Sequence, residues 1–350
     1  MIKKIIKAVN VVFGNFVRVQ SRLSFDEARK YLQEISPKPK GTCYTKNKLA
    51  IQYDLHIIIP AYNAEKYIKE CLKSVFIQVS EYSVLVTVVN DGSTDQTSII
   101  LENLKKLYKG NQIDIEIINQ DNKGYSGARN TALSFIRGKY IIFLDADDVL
   151  PQDTIEVMLD TAYEYDADIL QGSWYTFTNE KKKEHRVKES GKESGSQGYI
   201  SGYPWGKLYK YSVLENFQFP DGYWFEDTPI SFILAALPFK CISIDNIVYG
   251  YRLNSEGITS KAVYSEKSID SYWITEQCLK EFPKFKVHYD QKAYEYLLQQ
   301  SIMNAWRIRK QKRKVRESEF VLITKLMDDY FKGFHTKNAN MSKVESALRK

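Results

Sequence analysis

The chain has 350 residues, 43% of them hydrophobic and 13% aromatic with only nine prolines, so it is long enough for a large α/β domain with extra helices and too apolar to be disordered. Its formal charge of +7 is concentrated at the start: residues 1–50 hold eleven Lys or Arg against three Asp or Glu, and the nearly neutral remainder argues against nucleic acid as a partner. Four scattered cysteines (Cys43, Cys71, Cys241, Cys278) and four scattered histidines exclude a disulfide framework and a His-built metal site, so any metal is expected to be held by oxygen.

Residues 2–17 place Ile2, Ile5, Ile6, Val9, Val12, Phe13 and Phe16 on one helical stripe beside Lys3, Lys4 and Lys7. Two readings stay open: a helix lying on an anionic membrane surface, or one packed on its own domain or on a second subunit as a homo-oligomer. No apolar run reaches the roughly 18 residues that span a bilayer, so the chain is expected to be cytoplasmic, at most peripheral at the inner face of the cell membrane.

Strand and helix signals alternate from Asp54. Strands are expected at Leu55–Ile59, Ser83–Val89, Ile113–Ile118 and Tyr140–Leu144, with helices at Glu65–Ile77, Asp95–Leu107 and Gly127–Ile136 between them. Such alternation implies a mostly parallel sheet covered on both faces. The Lys-, Glu-, Gly- and Ser-rich stretch 179–198 reads as a solvated loop or lid. Beyond it come a helix at Asp227–Leu237, strands near Cys241–Ile244 and Ile247–Tyr251, and a helical region from about residue 256 to the end. The basic run Arg307–Arg316 reads as a solvated face. The expected organisation is an N-terminal extension (1–50), a catalytic domain (51–255, dividing near 150) and a helical C-terminal region (256–350).

In an open parallel sheet, ligands bind beyond the carboxyl ends of the strands. Three polar turns should meet there: Pro60-Ala61-Tyr62-Asn63, Asp91-Gly92-Ser93 and Asp145-Ala146-Asp147-Asp148. Asp145 and Asp147 emerge directly from an apolar strand and supply hard oxygen ligands for Mg²⁺ or Mn²⁺, which would neutralise charge on a departing diphosphate. The competing reading makes Asp148 and Asp153 helix caps around Pro151. Asp91 to Asp95 lacks the glycine of a calcium loop, and Ser93 or Thr94 is expected to cap the next helix, leaving Asp91 free to meet a base or ribose. The turn Asn122–Asn130 is glycine-rich with two cations, suited to an anion.

These motifs, in this order and spacing, resemble family 2 glycosyltransferases with the GT-A (Rossmann-like) fold over residues 54–252. The match extends through Trp205-Gly206-Lys207-Leu208-Tyr209, Phe225-Glu226-Asp227 and Tyr249-Gly250-Tyr251-Arg252, and departs from the common pattern at Asn90, where a second Asp is usual. The resemblance implies an inverting, metal-dependent transfer of a sugar from a nucleotide diphosphate sugar, by expectation a UDP-sugar, to a hydroxyl of a saccharide or lipid-linked acceptor in bacterial surface-polysaccharide synthesis. It implies Asp227 as the base, with Glu226 beside it. A helix dipole at the start of 227–237 would keep Asp227 ionised, and two unpaired acids amid Tyr223, Trp224 and Phe225 would be costly without a task.

By the same resemblance Pro60, Tyr62, Asn63, Glu65 and Asp91 surround the base, Arg129 lies nearby, Asp147 binds the metal, and Asp145 reaches the ribose or the metal. Trp205 and Trp224 are offered as sugar platforms or core, and Lys207 as a contact to an acceptor phosphate. Two rivals remain. A nucleotidyltransferase would need a glycine-rich phosphate loop after the first strand, which is missing, and an inactive sugar-nucleotide-binding scaffold would have lost the base or the acids, which are present.

Overall fold

The computed structural model describes residues 23–108, 113–191, 200–254 and 262–349, and the stripe expected at 2–17 lies outside them. The chain divides into two compact units: a sheet unit of residues 42–221 and 237–254, and a helical unit of residues 23–41, 222–236 and 262–349.

Among its described residues the sheet unit has eight strands: β1 (Lys48–Ala61), β2 (Val84–Asp91), β3 (Ile113–Gln120), β4 (Phe135–Phe143), β5 (Ile169–Phe177), β6 (Lys182–His185), β7 (Lys207–Lys210) and β8 (Cys241–Arg252). Their order is β3-β2-β1-β4-β7-β5-β6, with β8 also paired to β5. β1 runs parallel to both β2 and β4, and β2 to β3. Beyond β4 the sheet turns mixed, β7 pairing antiparallel to β4 and β5. Strands are added on opposite sides of β1, so the order reverses between β1 and β4, the position at which open parallel sheets bind their ligands.

β2 is buried along its whole length, which is why Val84-Leu85-Val86 reads as an unbroken apolar run. On one face Leu55, Ile57, Val86, Val88 and Ile142 pack with Leu72, Val75, Leu101 and Leu104 of the helices Ile68–Phe76 and Thr97–Leu107. The helix Gly124–Leu133 lies along β1 and β2 and buries Ala128, Ala132 and Leu133. Only glycine fits at 138: a Cβ would stand 2.4 Å from the His56 backbone nitrogen, beside the register shift between β1 and β4.

Several boundaries differ from expectation. Ile136 is strand, because the helix before it ends at Leu133 and β4 begins at Phe135. The two strands expected over 241–251 are one continuous strand, and the loop expected at 179–198 contains β6, hydrogen-bonded to β5. The helix expected at Asp227–Leu237 is one short piece, Thr228–Phe232, followed by a single 3₁₀ turn at Leu234–Ala236.

The helical unit is built on Phe25–Ile35, Asp270–Glu281, Gln291–Arg307, Arg313–Tyr330 and Ala339–Leu348. Ser24 and Glu27 form a reciprocal capping box at the first of these. That helix buries Ala28 and Leu32 and packs on Arg313–Tyr330, so residues 23–41 belong with the C-terminal helices although far from them in sequence. Periodicity marks an apolar stripe but does not say what covers it. The basic run is only partly solvated: Arg307 lies 3.7 Å over the Phe225 ring and Arg309 3.6 Å over Trp306, whereas Lys310, Lys312 and Arg313 are exposed. Among the described residues no helix is long and apolar enough to cross a membrane.

Candidate active site

The strand registers bring the expected turns to one edge of the sheet unit. Ala61 stands opposite Asn90 and Asp91 opposite Gln120, while Ile58 pairs with Phe143 and its carbonyl accepts from the Leu144 amide. Tyr62–Glu65, Asp91–Asp95, Gln120–Lys123 and Asp145–Asp148 therefore leave the sheet together, at the carboxyl ends of its parallel strands.

The first two turns are laced to each other. Asn63 holds a left-handed backbone (φ 48°), and its Oδ1 accepts from the Thr94 amide at 2.8 Å, while its own amide donates to Ser93 Oγ at 3.0 Å. Glu65 Oε2 accepts from the Gln96 amide and Asp95 Oδ2 from the Glu65 amide, at 2.9 and 3.1 Å. Asn63 and Glu65 thus fasten one turn to the other. The following helix starts at Thr97, and the carboxylate of Asp95, rather than Ser93 or Thr94, takes its first amide. Tyr62 keeps 53% of its surface exposed at this edge, and Pro60 is half-buried beside it.

Asp91 is 2% exposed, and its Oδ1 accepts from Gln120 Nε2 at 2.6 Å and from the Lys123 amide at 2.8 Å. It is therefore already anchored, not left open as the sequence suggested. Gly92 (φ 72°) lets the backbone come so close to Asn122 that a Cβ would stand 2.8 Å from its nitrogen.

Asp145 and Arg129 form an ion pair at 2.7 Å, the guanidinium lying 5.3 Å over the Phe219 ring. Asp147 is half-buried; burial and then the Asp145 charge raise its carboxyl above the usual range, against a hydrogen bond from Asn254. Asp148 is 1% exposed and does not cap a helix: Tyr249 Oη donates to its Oδ2 and the Arg252 amide to its Oδ1, each at 2.7 Å. Burial, then Asp145 and Asp147, push Asp148 well above the carboxylate range. Asp153, the other expected cap, precedes its helix at φ 63° with no side-chain cap bond.

Sequence reasoning missed the supports of this acid turn. Tyr249 Oη also accepts from the Asp145 amide at 3.2 Å, and Arg252 reaches the Asp147 carbonyl and Glu70, both at 2.7 Å. The one available signal was the Tyr249-Gly250-Tyr251-Arg252 string itself.

The donor set fits a divalent cation in one way only. Crowded carboxylates whose ionised forms are raised in energy by one another are what a hard cation relieves, and the groups are oxygen. Yet Asp145 Oδ1 is paired with Arg129, Asp148 is spent on Tyr249 and Arg252, and among the described residues no three acidic, His or Cys groups form a metal cage. Asp147 and the second oxygen of Asp145 would share the ion with phosphate oxygens of a ligand.

The remaining expected residues sit as follows. Trp205 is 8% exposed, stacked between Tyr203 at 4.6 Å and Tyr249 at 4.7 Å, so it is core rather than an open platform. Lys207 is 1% exposed, its ammonium donating to Ser201 Oγ at 2.8 Å and to the carbonyls of Tyr203 and Trp205. That is a loop anchor, not a cation presented to an acceptor phosphate.

In the helical unit, Trp224 is half-buried, its amide donating to Asp270 at 2.8 Å. Phe225 has φ 64°, a left-handed conformation that costs energy for an aromatic residue, and it redirects the chain immediately before Glu226 and Asp227. Glu226 is buried and Asp227 half-buried, and both interact with neighbours, so neither is the unpaired acid expected. Asp227 makes no side-chain cap bond to Thr228–Phe232, and five residues are too few for the dipole argument.

A family model described as "Glycosyl transferase family 2" matches residues 56–225. Glycosyltransferase GlyA of Streptococcus pneumoniae serotype 4 is 32% identical over 230 residues, covering 60% of this chain and 32% of that protein. Putative glycosyltransferase EpsH of Bacillus subtilis is 28% identical over 239 residues, covering 61% of this chain and 64% of that protein. The chain thus spans about a third of the first and just under two thirds of the second. Among solved structures, mannosyltransferase PcManGT from Pyrobaculum calidifontis in complex with GDP-Man and Mn²⁺ is 15% identical, with a TM-score of 0.50 over 99% of this chain and 92% of that one, a likeness of fold alone.

Proposed function

We propose, from the match of residues 56–225 to the glycosyl transferase family 2 model and from the GT-A-like α/β fold, that the chain transfers a sugar from a nucleotide diphosphate sugar to a hydroxyl of a saccharide or lipid-linked acceptor. The observation that carries it is the acid turn Asp145–Asp148 at the sheet's order reversal, with Asp147 raised by burial and by Asp145.

Asp147, with the second oxygen of Asp145, would hold Mn²⁺ or Mg²⁺, and the ion when bound would neutralise the charge that gathers on the leaving nucleoside diphosphate. Tyr62, exposed at the same edge, and Pro60 meet the base, by proposal uracil; Asn63, Glu65 and Asp91 fix the turns that shape that pocket. Asp227 takes the acceptor proton, so one base suffices and the anomeric configuration inverts, without the second carboxylate a covalent route requires. Similarity to GlyA and EpsH, both named glycosyltransferases, supports the class of reaction, and the Mn²⁺ and nucleotide sugar named with PcManGT are consistent with a metal-assisted donor.

The test is calorimetric titration of UDP, GDP, CDP and their sugars with and without Mn²⁺. Metal-dependent binding of one nucleotide and its sugar is the expected result; if no nucleotide binds, the transferase reading fails.

A further inference from the structure

The helical unit carries a cavity of about 590 Å³ that none of the preceding chemistry uses. Its walls bring together four cations, Arg29, Lys30, Lys38 and Lys40, against a single acid, Asp26. Behind them lies Glu276, which is 3% exposed and collects three cations at once: Arg29 at 2.5 Å, Lys38 at 2.7 Å and Lys280 at 3.2 Å.

The carboxylate is saturated, and the cations are not. Burial would raise Glu276, but Arg29 and Lys38 overcome this and hold it at about 2. Lys38 shows the opposite imbalance: burial lowers its ammonium below the usual value despite Glu276, and Lys280 and Arg29 push the same way. Lys30 and Lys40 are exposed on the cavity wall, and among the described residues neither has a hydrogen-bond or ion-pair partner. A region with one buried carboxylate for three close cations, opening onto two more, gains from any anion that enters it.

We propose that this cavity is a binding site for phosphate, carried by a phosphorylated or lipid-linked ligand, with Lys30 and Lys40 as the capturing groups and Arg29 and Lys38 set behind them by Glu276. Lysine suits the role because the open wall calls for mobile point charges rather than a fixed fork, and Arg29, lying 5.3 Å over the Trp273 ring, is held in place. The site stands apart from the transfer reaction and survives if that reading fails.

The experiment titrates full-length protein with inorganic pyrophosphate in EDTA, which silences metal-dependent binding at the acid turn. Three proteins are compared: wild type, K30E/K40E, and K105E/K106E, whose exposed lysines in the sheet unit change net charge equally. Thermal unfolding checks that all three are folded. The expected result is a pyrophosphate affinity about tenfold weaker for K30E/K40E alone.

Sedimentation with phosphatidylcholine vesicles, plain or doped with phosphatidylglycerol, identifies the source. Loss of binding to the anionic vesicles in K30E/K40E alone makes the ligand a lipid headgroup. Equal vesicle binding in all three, with pyrophosphate still lost in K30E/K40E, makes it a soluble phosphate. If pyrophosphate binds all three alike, the site is refuted; if both double variants weaken together, net charge is the whole effect and the site is refuted too.

Discussion

Tyr249 and Asp148 meet at 2.7 Å in the buried floor of the acid turn, the phenol donating to the carboxylate while accepting from the Asp145 amide. One hydroxyl thereby joins β8 to the turn that follows β4. Tyr249→Phe keeps the ring that stacks on Trp205 and removes only this link. It should cost about 1–3 kcal/mol, because a buried acceptor loses a donor. It should also weaken Mn²⁺-dependent nucleotide binding roughly ten- to a hundredfold, as loss of an outer-shell support does. Thermal unfolding and nucleotide titration measure the two; unchanged nucleotide affinity would show that the turn keeps its shape unaided.

Asn63 combines a left-handed backbone with an Oδ1 that takes the Thr94 amide. Three substitutions separate these contributions. Asn63→Asp retains both and should be close to neutral, Asn63→Gly keeps the conformation and loses the bond, and Asn63→Ala loses both, costing about 1–3 kcal/mol. The order Asp, Gly, Ala in falling melting temperature is the expected outcome. An alanine variant as stable as the glycine one would mean that the conformation carries no strain.

What could be read from the sequence was the scaffold and its punctuation. Val84–Val89 announced itself because a strand buried on both faces is apolar at nearly every position, Thr87 being the exception, and the turns after β1, β2 and β4 announced themselves as polar breaks in such runs. Partners distant along the chain could not be read. Asp148 looked like a local cap, but its donors, Tyr249 and Arg252, lie about a hundred residues on. Lys207 looked like a cation awaiting a phosphate, yet two carbonyls and a hydroxyl from residues 201–205 absorb it. Residues 23–41 were grouped with a basic N-terminal extension on charge, whereas the helix that covers them, Arg313–Tyr330, lies far along the chain. Asp227 was given a helix running to Leu237, whereas the helix ends at Phe232.

Glu319 supplies a pH-dependent prediction. It is 1% exposed in the helix Arg313–Tyr330, and among the described residues neither carboxyl oxygen has a hydrogen-bond partner. Burial, only partly offset by Arg307, raises it from 4.5 to about 8. A carboxyl raised on folding binds its proton more tightly in the native state, so its stabilising effect is complete below pH 4.5 and is lost as pH rises from there through 8. At pH 7 the loss amounts to roughly 3 kcal/mol. Glu319→Gln should therefore flatten the stability profile between these limits and raise the melting temperature at pH 8. Parallel profiles for the two proteins would show that Glu319 is ionised in the fold.

Asp227 and Asp147 are proposed for different steps, and kinetics can separate them. Removing a base leaves the donor's binding groups intact, so Asp227→Asn should lower kcat on the order of a hundredfold or more while the Kd for the nucleotide sugar with Mn²⁺ stays within about twofold. Removing the metal carboxylate acts earlier: Asp147→Asn should weaken donor binding in Mn²⁺ while leaving metal-free nucleotide binding unchanged. Phe225 complicates the first variant, since its left-handed backbone directs the segment that follows. Asp227→Glu serves as the control. It keeps a carboxylate and moves it by one methylene, so a base should recover part of kcat and a purely structural Asp227 should not. Loss of donor binding and stability in Asp227→Asn, with no recovery in Asp227→Glu, would assign Asp227 to the fold and leave the acceptor's base to be found elsewhere.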